Sequence, residues 1–310
     1  MQKALPVGFP KLMVSTMASG DVKPYVEETD ITMMYSVVDI AGRNRILEGI
    51  LQNAAAAVSG MANSYFTRTT SADEKGQGGG EKKRIGITMF GVTTPCVDRV
   101  RQYLETHSQN NYEVYIFHAT GAGGKAMERL IRETHLDAII DLTTSEIADE
   151  LVGGILTAGP ERLSAAAARG IPQVVSLGAC DMVNFGLRET VPPRFGEEQE
   201  RRWYEHNPTV TLMRTTSEEC RGIARFVARK LRGCARPERV RVVLPTGGVS
   251  MLGVPGQAFH DPEADAALFD TLEQELGGTS IHVQREPRQI NDPDFAVALT
   301  ESLLELMALP

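Results

Sequence analysis

The 310-residue chain is poor in several things, and each shortage removes a class of function. Its four cysteines, Cys96, Cys180, Cys220 and Cys234, share no CxxC spacing and have no His at a metal-ligand interval. That pattern excludes a zinc ribbon and a disulfide framework, and leaves free thiols in a reducing compartment. There is no HxxxH or HxH pair, so no metal site is expected. No apolar run approaches the roughly 18 residues needed to span a bilayer, and the opening Met-Gln-Lys-Ala-Leu-Pro lacks a signal peptide's apolar core. No basic block exceeds Lys82-Lys-Arg84, and the formal charge is -8 with a pI near 5.4. Neither nucleic acid nor a membrane is an expected partner, and a cytoplasmic location is expected. Nucleotide fingerprints are weak: Thr120-Gly-Ala-Gly-Gly-Lys125 lacks the glycine gap and the Lys-Ser/Thr pair of a P-loop.

What the chain has is alternation. From Arg84 onward, apolar β-like runs at 85–90, 114–118, 138–142, 173–177, 240–244 and 280–284 alternate with helical patterns at 96–106, 124–133, 145–151, 161–168, 218–231, 262–276 and 294–306. Between residue 177 and Pro208 the chain reads as less regular and polar. Such β-α steps with short connections predict a parallel sheet covered by helices on both faces. Ahead of them, 11–16 and 31–36 read as short strands and 44–62 as a helix, too little for a domain alone. Residues 67–83, holding Gly-Gln-Gly-Gly-Gly and no apolar pattern, read as a flexible linker. The expected fold class is α/β, with two Rossmann-like doubly wound domains. The first, 1–66, is incomplete, and the second spans 84–310.

In doubly wound sheets ligands bind beyond the carboxyl ends of the strands. Five expected strand ends deliver small hydroxyls and glycines there: Thr93 and Thr94; Thr120, Gly121, Gly123 and Gly124; Thr143 and Thr144; Gly178 to Asp181; and Thr246, Gly247 and Gly248. Together with free amides at helix N-termini they suit a phosphate or carboxylate. The turn within 112–130 is the central one, read as leaving a buried strand. Each feature also has a plainer reading. Glycines close turns, and Thr143 or Thr144, Ser217 and Asp261 suit helix N-caps. Ser15, Thr16, Ser19 and Gly20 form a similar small-residue loop in the first domain. Cys96 opens an expected helix whose N-terminus favours a thiolate, although no His stands near it in sequence. Among ionisable groups, His118 leaves its strand directly into the glycine-rich turn, and His206 and His260 are further candidates. His118 with Glu146 or Asp181 as acid and base would suit a hydrolase or lyase. An interaction module, or a truncated non-functional copy, is the third option.

Six blocks carry a family resemblance: Pro10-Lys-Leu-Met-Val-Ser-Thr-Met-Ala-Ser-Gly20, Met34-Tyr-Ser-Val-Val-Asp-Ile-Ala-Gly42, Met89-Phe-Gly-Val-Thr-Thr-Pro-Cys96, Phe117-His-Ala-Thr-Gly121, Asp149-Glu-Leu-Val-Gly-Gly154 and His206-Asn-Pro-Thr-Val-Thr211. In this order they resemble the ATP-binding domain of the tomato mosaic virus resistance protein family. The resemblance implies two α/β domains, ATP with Mg²⁺ as cofactor or another small anionic ligand in the interdomain cleft, and a homo-oligomer. In the plant representative it implies binding to a viral replication protein. It also implies that roughly 100 residues of the first domain, including a Gly-Gly-Ser-Gly-Gly-Thr loop, precede the part seen here. The chain departs from the family pattern at Gln289-Ile-Asn-Asp-Pro293, where the resemblance places His first, and at Glu27-Glu28.

Overall fold

The computed structural model describes residues 4–75, 82–107, 111–196 and 201–309. The chain divides into two compact units, Met1–Glu81 and Lys82–Pro310. The first holds strands β1 (Leu12–Ser15) and β2 (Thr32–Tyr35), paired in parallel, with a single helical turn α1 (Lys23–Val26) between them and a long helix α2 (Arg45–Lys75) after them. Ile31, Leu47 and Ala54 are its buried apolar residues. The Lys11 side chain is wholly inaccessible; its ammonium meets Asp30 at 2.6 Å and the carbonyls of Pro6 and Phe9 at 2.6 and 2.9 Å, so the buried charge is paired. Helix α2 runs through Lys75, well past Thr67 where a linker was expected. Thr67, Thr69 and Thr70 return their hydroxyls to carbonyls four residues back, at 2.9, 3.0 and 2.8 Å, so their hydroxyls are satisfied within the helix. The glycine-rich part of the expected linker lies outside the described residues.

The second unit is built on six parallel strands: β3 (Lys83–Met89), β4 (Tyr112–His118), β5 (Ala138–Thr143), β6 (Gln173–Gly178), β10 (Val240–Pro245) and β11 (His282–Glu286). Their spatial order is β11-β10-β6-β5-β3-β4. After β3 the chain steps outward to β4, then crosses back over β3 to β5, and from there moves steadily the other way. The carboxyl ends of β3 and β5 therefore flank the topological switch point, the place where such sheets open a crevice.

Helices α3 (Thr94–His107) and α9 (Pro293–Ala308) cover one face. They pack Val97, Val100, Phe295 and Leu299 on Ile85, Ile87, Ile140 and Val243. On the other face lie α4 (Ala122–Arg132), α5 (Ser145–Val152), α6 (Ser164–Arg169), α7 (Ser217–Arg232) and α8 (Pro262–Leu276). β5 and β6 are buried along their whole length, as parallel strands covered on both sides must be. β4 is different from expectation. It is the sheet's edge, its residues alternate in exposure, and Ile116 is 40% exposed.

The stretch before Pro208 also departs from its reading as irregular. β7 (Met182–Phe185), β8 (Trp203–Asn207) and β9 (Val210–Arg214) form a separate antiparallel sheet in the order β7-β9-β8. β8 carries no strand signal in the sequence, because Tyr204, Glu205, His206 and Asn207 are all exposed and no apolar alternation marks it.

Helix α7 is capped by Thr216 rather than by Ser217: its hydroxyl accepts from the Glu219 amide at 3.2 Å while the Glu219 carboxylate accepts from the Thr216 amide at 2.8 Å. Replacing a capping threonine by alanine typically costs about 1 kcal/mol. Thr216→Ala is therefore expected to lower the unfolding free energy in urea by about that amount with an unchanged m-value. Ser217→Ala should be close to neutral.

Candidate functional site

The glycine-rich turn does hold an anion, and the anion is the chain's own. Glu146, at the start of α5, is buried, and its Oε1 accepts the amides of Gly121 at 2.7 Å and Gly124 at 3.0 Å. Each glycine is required by close approach. Gly121 has φ +89°, a Cβ on Gly123 would lie 1.9 Å from the His118 carbonyl oxygen, and one on Gly124 would lie 2.0 Å from Glu146 Oε2. The other Glu146 oxygen accepts from Arg162 Nε at 2.8 Å.

Arg162 is fully buried and also forks onto Asp141 of β5, with Glu128 of α4 at 3.7 Å. Burial opposes the Arg162 charge, but Asp141, Glu146 and Glu128 outweigh it and hold its pKa well above the ordinary value. Burial pushes Glu146 and Glu128 upward against the pull of Arg162 and of the amides they accept. The crevice at the switch point is thus filled by an internal ion network.

The other strand-end groups are largely bonded to one another. The Thr93 and Thr143 hydroxyls meet at 2.8 Å, and Thr94 donates to the Phe90 carbonyl at 3.2 Å. Thr143 takes its amide to Thr88 Oγ1 at 2.9 Å, and Thr144 donates to the Ser176 carbonyl at 3.0 Å. The Thr120 amide goes to the His118 carbonyl, the Gly247 amide to Arg288 and the Gly248 amide to Pro245. Asp181 is buried beside Ser250, whose hydroxyl donates to it at 2.6 Å. Neither Glu146 nor Asp181 therefore shares a bond with His118. Cys96 is buried, and burial pushes its thiol strongly up, against the lowering expected at a helix start. In the first unit, Ser15 caps a tight turn by accepting from Met17, Ser19 donates to the Thr16 carbonyl, and the Gly20 amide returns to Met17.

A cavity of about 360 Å³ lies at the carboxyl ends of β3 and β4. Phe90, Gly91 and Val92 leave β3 into it, and His118 and Thr120 border it from β4. His206 and Asn207 of β8 and Val210 and Leu212 of β9 close the opposite side. The His118 ring lies 5.7 Å from that of Phe90. Asn207 spends its side-chain oxygen on the amide and hydroxyl of Thr209, both at 2.9 Å, and its NH₂ can only donate. Sequence marks His206 as a candidate and as the start of a family block, but only the β8–β9 hairpin brings it to the same cavity as His118.

Leu156 supplies the remaining wall, and the Asp149-Glu-Leu-Val-Gly-Gly154 block explains why it sits there. Asp149 is buried and accepts from the Leu156 amide at 2.7 Å, the Asn184 amide at 2.8 Å and Asn184 Nδ2 at 3.2 Å. A Cβ on Gly154 would fall 2.4 Å from the Asp149 carboxyl carbon, so glycine is needed for the loop to close over it. Burial raises the Asp149 pKa to about 7, the three donors notwithstanding. Asn291, in the block that begins with Gln289, donates to the Val92 carbonyl at 2.9 Å and so fixes the β3 side of the cavity. Among the described residues no group of three His, Cys, Asp or Glu could hold a metal ion, and no helix is long and apolar enough to cross a membrane.

Fold and site together define a two-unit α/β protein whose larger unit is a doubly wound parallel sheet with an open cavity beside its switch point. The chain belongs to the UPF0261 family: residues 82–307 match the family described as "Uncharacterised protein family (UPF0261) C-terminal domain", and residues 1–67 match its N-terminal domain. It is 48% identical to a UPF0261 protein of Clostridium tetani, over 98% of this chain and 71% of that protein. It is also 48% identical to one of Rhizobium meliloti, over 96% of this chain and 70% of that protein. The ToMV resistance protein Tm-1 of Solanum lycopersicum is 43% identical over 98% of this chain, which spans 39% of the tomato protein.

Two measurements check this account. Gly123→Ala drives a Cβ into the backbone carbonyl of His118, whereas Gly60, inside α2, has nothing within 4 Å. Chemical denaturation should show a loss of about 2–3 kcal/mol for Gly123→Ala, and none for Gly60→Ala; equal effects would refute the close-packing argument. The second concerns pH. Asp149 holds its proton to about pH 7 when folded but to the ordinary 3.8 when unfolded, and Asp265 likewise to about 6. The folded state binds more protons between those values, so the contribution of these groups is full below 3.8 and is lost as pH rises through 6 and 7. Calorimetry across this window should show a downward stability slope that Asp149→Asn makes shallower.

Proposed function

We propose that the second unit binds a small organic anion with an apolar body in the cavity between His118 and His206. The observation that carries this reading is that two solvent-accessible imidazoles and the Asn207 amide border one apolar-walled space at the ligand-binding edge of the sheet. The imidazoles supply donors, and positive charge when protonated, to a carboxylate or a single phosphate, while Phe90, Val92, Leu156 and Leu212 take the carbon skeleton.

The residues fit ATP less well. A triphosphate needs convergent amides or Lys and Arg side chains. Here the amides of Gly121 and Gly124 are given to Glu146, those of Gly247 and Gly248 to backbone carbonyls, and the cavity's bordering residues include neither Lys nor Arg. The homo-oligomer implied by the family resemblance belongs to the same reading, and light scattering on the titration sample checks it. An enzymatic role remains a second reading because two imidazoles in one cavity can act as acid and base. His206, rather than Glu146 or Asp181, is then the partner of His118.

Isothermal titration with a panel of mono- and dicarboxylic acids and phosphate monoesters, with ATP and Mg²⁺ as a separate arm, tests the proposal. At least one small acid should bind more tightly than ATP, and His118→Ala and His206→Ala should each weaken it about tenfold or more. No heat with any of them on a folded sample sinks the reading. Tight ATP binding that both variants leave intact moves the site elsewhere.

A further inference from the structure

A second cavity, of about 210 Å³, lies where β10 ends and α8 begins, and none of the residues bordering it borders the cavity at His118. Thr246, Gly247 and Gly248 form one wall, and Pro262, Ala266 and Phe269 of α8 form an apolar one. Its backbone walls are tightly set. A Cβ on Gly247 would come within 2.6 Å of the Gln289 nitrogen, and one on Gly253 within 2.7 Å of Asp181 Oδ2.

The polar groups of this cavity are mostly acceptors. Thr246 spends its hydroxyl hydrogen on the Glu286 carbonyl at 3.1 Å, which leaves Oγ1 with lone pairs only. His260 Nδ1 meets the Gly253 carbonyl at 3.0 Å. A carbonyl can only accept, so the proton sits on Nδ1, and Nε2 of the neutral ring is an acceptor. Asp265 gives Oδ1 to Arg214 at 2.6 Å and keeps Oδ2. Arg285 is the cationic exception, and its Nε and Nη2 are already engaged by Glu273 and Asp270.

Charge points the same way. Behind the wall the single guanidinium of Arg214 is shared between the fields of Asp265 and Asp181. Asp181 is fully buried, and its Oδ1 has no hydrogen-bond partner among the described residues. On the open side Arg285 is likewise met by two carboxylates. Each cluster therefore holds more acidic than basic groups, and a buried carboxylate oxygen without a donor is costly unless the acid keeps its proton, as burial favours for Asp181, or a cation offsets it.

We propose that this cavity binds a small primary amine, with its ammonium towards Asp265, His260 and Thr246 and its carbon chain along Ala266 and Phe269. An ammonium has three donors and no acceptor, which matches the three acceptors. The cavity volume limits the chain to a few carbons. An amino acid shares the same ammonium and would place its carboxylate on Arg285, the one donor nearby. Burial raises the Asp265 pKa to about 6, so above that pH the acid is ionised and ready to pair.

Titration of the full chain at a pH above that value with n-butylamine, L-leucine and n-butyrate, followed by calorimetry, tests the proposal. Butylamine is expected to bind and butyrate not. Leucine tighter than butylamine identifies an amino acid held through Arg285, and the reverse identifies a free amine. Asp265→Asn should weaken binding at least tenfold. Ala266→Trp fills the cavity while leaving the Arg214–Asp265 pair in place, and should abolish it. His118→Ala should change nothing, which separates this site from the one proposed above. Butyrate binding as well as butylamine, no response to either amine at millimolar concentration, or amine binding that survives Ala266→Trp overturns the proposal.

Discussion

The second unit depends on one buried cation. Arg162 sits in the interior with three carboxylates around it, and each carboxylate ties down a different element: Asp141 in strand β5, Glu146 under the glycine-rich turn, and Glu128, which accepts the amides of Leu163 and Ala165 at the start of α6. Charges of this kind are tolerated only when every lone pair finds a donor. Here the donors are backbone amides that would otherwise need another partner, including those at the N-terminus of α4. The turn after β4, the crossover that follows α5 and the switch point between β3 and β5 are thus parts of one electrostatic object. Truncating the arginine would leave three acids facing each other in a dry interior.

This constraint decides where a ligand can go. A glycine-rich turn before a helix is usually an invitation to a phosphate, but the invitation has been accepted by Glu146. The hydroxyls at the strand ends are committed as well, threonine to threonine and threonine to carbonyl, and they act as lacing between strands. Open space is left to the sides of the crevice: next to β4, where residues of β8 and β9 border it, and beyond β10, where α8 begins. In both places the polar groups are side chains, and their chemistry differs. One cavity presents imidazoles and an amide; the other presents mainly acceptors.

Much of the α/β framework was legible because parallel strands covered on both faces are short continuous apolar runs, as at Ile139 and Ile140 or Val242 to Leu244, and because helices between them repeat with a clear apolar stripe. Helix α8 matches its expected bounds, where Asp261 and Pro262 mark the start. The sheet order was not legible, since nothing local in β3, β4 and β5 states which pair is adjacent. Nor was the interior role of Arg162 and Glu128. Charged residues in helical surroundings read as solvent-facing, and their burial depends on partners far away in the chain. The glycines at 121, 123 and 124 read as a turn suited to a bound anion, but sequence does not say that the groups approaching them are the chain's own Glu146 and the His118 carbonyl. The place of His118 is fixed by its strand, whereas the position of His206 at the same cavity depends on a hairpin whose outer strand has no apolar pattern. The family resemblance read from six motif blocks agrees with membership of UPF0261, and several of those blocks turn out to be packing devices: Asp149 under Gly154, and the close approach of the His118 carbonyl to Gly123.

The hairpin has a consequence for how this protein can change over time. One imidazole rides on the rigid sheet, while the other rides on a ribbon that belongs to a separate, smaller sheet and shares no charge with the Arg162 cluster. Insertions, deletions or swaps in residues 203–210 can therefore reshape the mouth of the cavity while the costly interior stays intact.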